Sequence, residues 1–387
     1  MKKIITVTLS LFMLSIVLGS GFGLKTVKAE EELTNDLLIK VDASVKDDAY
    51  YQELLDACAY NNKVIRNYPF TFEDESWHDY RKALNKALKV EEINEDAKVV
   101  LDKAADALEA MVQIEPVEKH QLLIWGDDMP VMEGPDELVW DAESWDNPDF
   151  RPFLVPYILE DQTDVKGNII LVSGGGYDHR ANDSEGYVIA PLFNEMGYNV
   201  FILQRRVAPY GREDIWTDLQ RSIRYVRHNR EALGLGSDYM IINGYSGGAR
   251  TVMSVVQFLY GDIQPTIYDA DYVPDETDAE SADVNAVFTI YGTGADSLEI
   301  TSDDGKMFSL DNPNLPAIFI GVGANDSETI LGSSLILFQE ANEKTLTELH
   351  VFGNTGHGFG KGLPKSNSGY WMEMADNFVA IDKEMNK

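Results

Sequence analysis

The chain has 387 residues, enough for two or three domains at about 150 residues each. Asp and Glu number 65 against 32 Lys and Arg, a formal charge of −33, which counts against nucleic-acid or anionic-lipid partners because lysine and arginine hold both. Hydrophobic residues at 44% allow a folded core, and the single cysteine, Cys58, excludes an intrachain disulfide framework and a cysteine-based zinc site.

Residues 1–29 read as a secretory signal. Lys2 and Lys3 open it, residues 4–18 are mostly apolar, and Val27-Lys28-Ala29 places small residues before Glu30. The apolar run is short for a spanning helix of about 20 residues. The alternative is an uncleaved N-terminal anchor. Cleavage removes four lysines and no acid, so the remaining chain is more acidic still. No membrane contact is expected after cleavage.

Residues 30–114 form a helical module in this reading. Trp77, Tyr80, Leu84, Ala87 and Leu88 repeat at helical spacing, and so do Ala97, Val100, Leu101, Ala104, Leu108 and Met111. An earlier helix is expected over 49–65, with Asn94 or a neighbour capping the last. Three such helices predict a small antiparallel bundle with Trp77 in its core. The run Phe70-Thr71-Phe72-Glu73-Asp74-Glu75-Ser76-Trp77, with Ala83-Leu84, Ala87, Val100-Leu101 and Ala107-Leu108, resembles the FIVAR module of Gram-positive surface proteins and extracellular glycosidases. The resemblance implies glycan or cell-surface contact, with a plain spacer as the alternative, and points to a secreted or cell-surface location in a Gram-positive bacterium.

A linker at 115–118 opens the second domain, 115–387. Short apolar runs at 121–125, 153–159, 168–172, 199–203, 239–243, 284–291, 317–322 and 346–352 alternate with helical stretches at 185–196, 214–231, 249–260, 328–342 and 370–383. This alternation predicts an α/β fold with a mostly parallel sheet and helices on both faces, whose chemistry lies beyond the carboxyl ends of the strands.

After 168–172 comes Ser173-Gly174-Gly175-Gly176-Tyr177. Consecutive glycines let a backbone N–H turn toward a substrate carbonyl, so Gly175 and Gly176 are candidate oxyanion donors. A nucleotide-binding turn is the competing reading, weakened by the missing G-x-G-x-x-G spacing and Walker lysine. After 239–243 comes Gly244-Tyr245-Ser246-Gly247-Gly248 and then a helix, the G-x-S-x-G pattern in the strand-to-helix context that exposes a nucleophile. Ser246 is the candidate nucleophile and the Gly247 N–H the second oxyanion donor. Tyr177 and Tyr245, beside these two turns, are expected to touch substrate.

A serine needs a base. Of His78, His120, His179, His228, His350 and His357, only His357 lies in a loop between the last strand and the terminal helix. The orienting acid should follow a strand between Ser246 and His357. Asp326 does so after 317–322, and Asp296, Asp303, Asp304 and Asp311 compete. Neither a metal nor an organic cofactor is called for.

These residues, with Arg180, Ser184-Glu185-Gly186, Arg206-Val207-Ala208-Pro209 and residues 218–227, resemble the α/β-hydrolase superfamily, in its acetyl esterase and acetyl-xylan/feruloyl esterase-like branch. The resemblance implies a secreted serine esterase acting on acylated polysaccharide or oligosaccharide. In relatives a histidine often stands at Ser173 and a tyrosine at Arg205. Arg206 and Glu185 are expected to be structural, as buried charged groups in a pair. Residues 262–283 and 292–313, with Tyr268, Tyr272 and Phe308, are expected to rim the pocket. Two other readings stay open: a serine peptidase of prolyl-oligopeptidase type, and a non-catalytic glycan-binding surface protein.

Overall fold

In a computed structural model the first helix, α1 (Asp48–Asn67), starts where the Asp47 carboxylate accepts the Tyr50 N–H at 3.0 Å. The model describes residues 38–113, 121–126, 128–131, 138–141, 144–293 and 310–386. The signal at 1–29, the linker at 115–118, His120, Asp296, Asp303, Asp304 and Phe308 lie outside the described residues. Helix α2 (Asp74–Ala87) and α3 (Glu95–Glu109) complete the bundle. Asn94 caps α3, its side-chain oxygen accepting the Ala97 N–H at 2.9 Å. The apolar stripes of the three helices meet in one core that includes Leu54, Ile65, Tyr80, Leu84 and Leu101. Trp77 belongs to that core. It is 5% exposed and its indole N–H donates to the Ile65 carbonyl.

Among the described residues eight strands form one sheet: β1 (Leu122–Leu123), β2 (Phe153–Tyr157), β3 (Gly167–Val172), β4 (Tyr198–Gln204), β5 (Met240–Tyr245), β6 (Ala286–Ile290), β7 (Ala317–Gly323) and β8 (Thr347–Phe352). The spatial order is β1-β2-β4-β3-β5-β6-β7-β8. β2 runs antiparallel to β1 and β4, and every later pairing is parallel. The connections are α4 (Asn182–Glu185), α5 (Ala190–Glu195), α6 (Arg212–His228), α7 (Gly247–Phe258) and α8 (Glu328–Asn342), with α9 (Trp371–Met385) at the end.

Successive strand residues face opposite sides of the sheet. Ile170, Val172, Ile242 and Ile320 therefore pack with Leu219 and Ile223 of α6 and Val252 of α7. Their neighbours Ile169, Leu171, Ile241 and Phe319 pack with Phe193 of α5 and Trp371 and Phe378 of α9. Both faces are covered, which is why β3 to β7 are apolar runs without alternation.

One helix differs from the sequence expectation. Within the stretch at 185–196 only α5, Ala190–Glu195, is a regular helix; α4 ends at Glu185, before Gly186, where a Cβ would lie 2.9 Å from the Asn182 carbonyl oxygen. Pro191 then falls in the first turn of α5, where its missing N–H costs nothing. Among the described residues no helix is long and apolar enough to cross a membrane.

Candidate active site

The turn between β5 and α7 holds Ser246 at φ 49° and ψ −116°, a left-handed conformation that costs a non-glycine residue about 1–3 kcal/mol. Its N–H donates to the Ile290 carbonyl at 3.0 Å, which ties the turn to the end of β6. The flanking glycines are there because the turn is pressed against its surroundings. A Cβ on Gly244 would lie 2.4 Å from the Gly248 oxygen, and one on Gly248 would lie 2.1 Å from the Val172 oxygen of β3. The side chain so presented reaches His357, with Ser246 Oγ 2.9 Å from His357 Nε2.

His357 stands in the loop between β8 and α9. Its Nδ1 lies 3.0 Å from Asp326 Oδ2 and 3.2 Å from Oδ1. Asp326 follows β7, and its Oδ1 also accepts the Ser327 N–H at 2.7 Å. The Asp326 side chain is 2% exposed and that of His357 41%. The carboxylate is thus screened from water while the imidazole reaches the site, the arrangement that gives a short ion–dipole contact its strength. The other described histidines lie elsewhere. His350 bonds to Glu348, His179 packs at a tilt against Trp145, His228 lies 4.0 Å from Glu280, and His78 belongs to the bundle. A hydroxyl bonded to an imidazole that is held by a carboxylate can be deprotonated for attack on a carbonyl.

The glycine loop packs directly on the turn. A Cβ on Gly174 would lie 2.9 Å from Ser246 Cβ, and one on Gly247 would lie 2.3 Å from the Gly176 oxygen. The Gly174 N–H is committed to Glu185 Oε2 at 2.6 Å. Within the three-glycine run that leaves the Gly175 and Gly176 N–H groups as candidate loop donors. Gly175 and Gly176 have φ of 102° and 61°. Gly247 is the first residue of α7, one of the positions whose N–H has no partner within the helix.

Tyr177 ends the loop, with its carbonyl accepting the Ala208 N–H and its hydroxyl accepting from the Trp216 indole at 3.5 Å. Tyr245 is not a substrate contact. The pleat of β5 turns it into the core, where it is fully buried between Tyr291 and Trp371. Of the aromatics expected at the rim, Tyr272 is also interior, bonding Asp278 and packing on Trp125.

Glu185 and Arg206 are both buried but do not pair with each other. Arg206 bonds Asp218 through Nε and Nη2 and lies 3.5 Å from Asp214. Glu185 accepts from Gly174 and, at 2.7 Å, from the Tyr291 hydroxyl. Burial raises its pKa above the usual carboxylate range, against the opposing pull of these two donors. Tyr291 stands just beyond β6 at φ 42°, and its ring meets the His357 imidazole edge-on at 5.1 Å. Its hydroxyl also accepts the Gly360 N–H at 3.2 Å. Sequence reading passed over Tyr291, although its place at a strand's carboxyl end was the available signal. Arg205, seen only as a departure, is fully buried, and its Nη2 lies 3.1 Å from the Gly176 oxygen. Burial and then the nearby Arg180 lower its pKa to about 10.

The parallel sheet with its strand-to-helix turn at Ser246 gives the chain the α/β-hydrolase fold. The chain is similar to an acetyl ester-xyloside bifunctional hydrolase from Caldicellulosiruptor lactoaceticus, at a TM-score of 0.51 and 22% identity over 65% of this chain and 94% of that one. It is also similar to a thermophilic esterase from Thermogutta terrifontis, at a TM-score of 0.47 and 18% identity over 60% of this chain and 90% of that one. In sequence it is 26% identical over 228 residues to endo-1,4-beta-xylanase B of Butyrivibrio fibrisolvens, covering 54% of this chain and 35% of that protein. The chain thus spans about a third of the length of this curated relative. No protein-family model matches the chain.

Proposed function

We propose that the chain is a secreted serine carboxylic-ester hydrolase that removes acetyl or feruloyl groups from plant polysaccharide such as xylan. The observation that carries the chemistry is the unbroken line from Ser246 Oγ through His357 to Asp326. In this reading His357 Nε2 takes the Ser246 proton as Oγ bonds to the ester carbonyl carbon. The N–H of Gly247 and that of Gly175 or Gly176 hold the resulting oxyanion. Collapse expels the sugar alkoxide, which takes the proton back from His357, and leaves an acyl-serine. Water, deprotonated by His357, then attacks the acyl carbon and releases the acid with Ser246 restored. Asp326 keeps Nδ1 protonated and stabilises the imidazolium throughout.

The xylan-related names of two similar proteins, one matched in sequence and one in fold, support a glycan ester as substrate. The signal-like residues 1–29 support export, and the FIVAR resemblance supports glycan or cell-surface contact by the bundle. The test is release of acetate from acetylated xylan and of ferulate from feruloylated arabinoxylan, with p-nitrophenyl acetate as a simple ester. Ser246→Ala should lower kcat by about 10⁴-fold or more. Equal rates in both proteins would end the mechanism. N-terminal sequencing of exported protein should begin at Glu30.

A further inference from the structure

Three consecutive residues at the end of α1 join the bundle to the catalytic half. The Arg66 guanidinium lies over the Trp145 ring, 4.2 Å from its centroid, and the Trp145 ring meets His179 at a tilt of 38°. The Asn67 side chain bonds both Asp146 and Arg180. The Tyr68 ring stacks on Phe153 at 5.3 Å and 5°.

Arg180 follows the glycine loop directly, and its side chain is 1% exposed. It forms a two-pronged pair with Asp146 and also donates to the Arg205 carbonyl. Arg205 sits behind the loop. Its Nη2 lies 3.1–3.5 Å from the carbonyl oxygens of Ser173, Gly174, Gly176 and His179. In a trans peptide the C=O and the following N–H point opposite ways. Drawing the Gly174 oxygen toward Arg205 therefore turns the Gly175 N–H away from the arginine. One buried cation thereby helps orient several peptide planes of the loop, beside the Ala181 N–H on the Gly174 oxygen and the Asp178 and His179 N–H groups on the Gly175 oxygen.

We propose that the helical module is a working part of the active site, holding the oxyanion loop in its donor conformation through Asn67, Arg180 and Arg205. These three are positioning residues. The role rests on the ester-hydrolase reading, but the mechanical coupling stands on contacts alone, and the experiment separates the two.

Hydrogen–deuterium exchange of residues 173–181 is compared in the full chain and in Asn67→Ala, with β7 and α8, residues 317–342, as the internal reference because they lie outside the glycine loop and the Ser246 turn. Exchange of 173–181 should rise about fivefold or more while the reference holds. On p-nitrophenyl acetate, kcat should fall about tenfold with KM within about twofold, because oxyanion contacts strengthen in the transition state. A general loss of fold would move the reference segment and the thermal transition instead. Asn67→Ser, a smaller change at the same position, gives the same comparison should Asn67→Ala not fold. Arg205→Lys keeps the charge without the fork and should reproduce the kcat loss. Unchanged exchange at 173–181 in folded module variants would overturn the proposal. A wild-type chain without esterase activity would overturn only the functional reading, leaving the exchange result to decide the coupling.

Discussion

Tyr291 donates its hydroxyl proton to Glu185 across 2.7 Å, and the other oxygen of that carboxylate takes the Gly174 N–H at 2.6 Å. One buried acid thus joins the glycine loop to the tyrosine on which His357 rests. Glutamine in its place supplies one acceptor where two are used. Glu185→Gln should leave an interior donor unpaired, costing about 1–3 kcal/mol of stability. Thermal denaturation should show the lower transition. Ester kinetics should show a reduced kcat, since both sides of the site are disturbed. An unchanged transition would mean that the two donors do not depend on the carboxylate.

Gly247→Ala tests the contact between the two turns. The added methyl would stand 2.3 Å from the Gly176 oxygen, too close for either backbone to remain in place. Moving the loop outward withdraws an oxyanion donor, an effect of about 10²–10³ in kcat. Steady-state kinetics on a simple ester should show that loss while circular dichroism stays near wild type.

Asp218→Ala tests the Arg206 network. Asp218 accepts from Arg206 and from the Trp125 indole at 2.8 Å, and both members of the ion pair are fully buried. Removing the carboxylate leaves the buried guanidinium with Asp214, 3.5 Å away, as its nearest acid, a loss of about 3 kcal/mol. Urea unfolding should register this as a lower midpoint.

Cys58 gives a prediction in pH. Burial in the bundle pushes its thiol up to about 11. A thiol whose folded pKa exceeds its unfolded value of about 8.5 makes the native state bind more protons, so its contribution to stability is complete below that pH. That contribution is lost as pH rises toward the folded value. Native protein at pH 8 should resist iodoacetamide and react once unfolded. The loss of stability between about pH 8.5 and 11 should be smaller in Cys58→Ala than in wild type.

Periodicity located the eight strands and the three bundle helices and motif spacing the turn at Ser246, because each depends on a few neighbouring residues, whereas Asp326 and His357 were chosen by their place in chain order after strands. A run such as Ile169 to Val172 must be a strand buried on both faces, and glycines around Ser246 must close a tight turn, whatever the remote partners are. Tyr245 escaped the same reasoning. Its neighbour faces the site while the strand's pleat sends it into the core, and a shift of one residue along a strand reverses the face. Glu185 and Tyr291 lie 106 residues apart and meet only in three dimensions, and Arg205 reaches the same glycine loop from the end of β4, so no local pattern relates them. A buried charge acquires its role from the partners that desolvation forces it to find. The bundle likewise looked like a separate module by composition. Only the tertiary structure seats Asn67 on Arg180, making its docking face continuous with the loop behind Ser246.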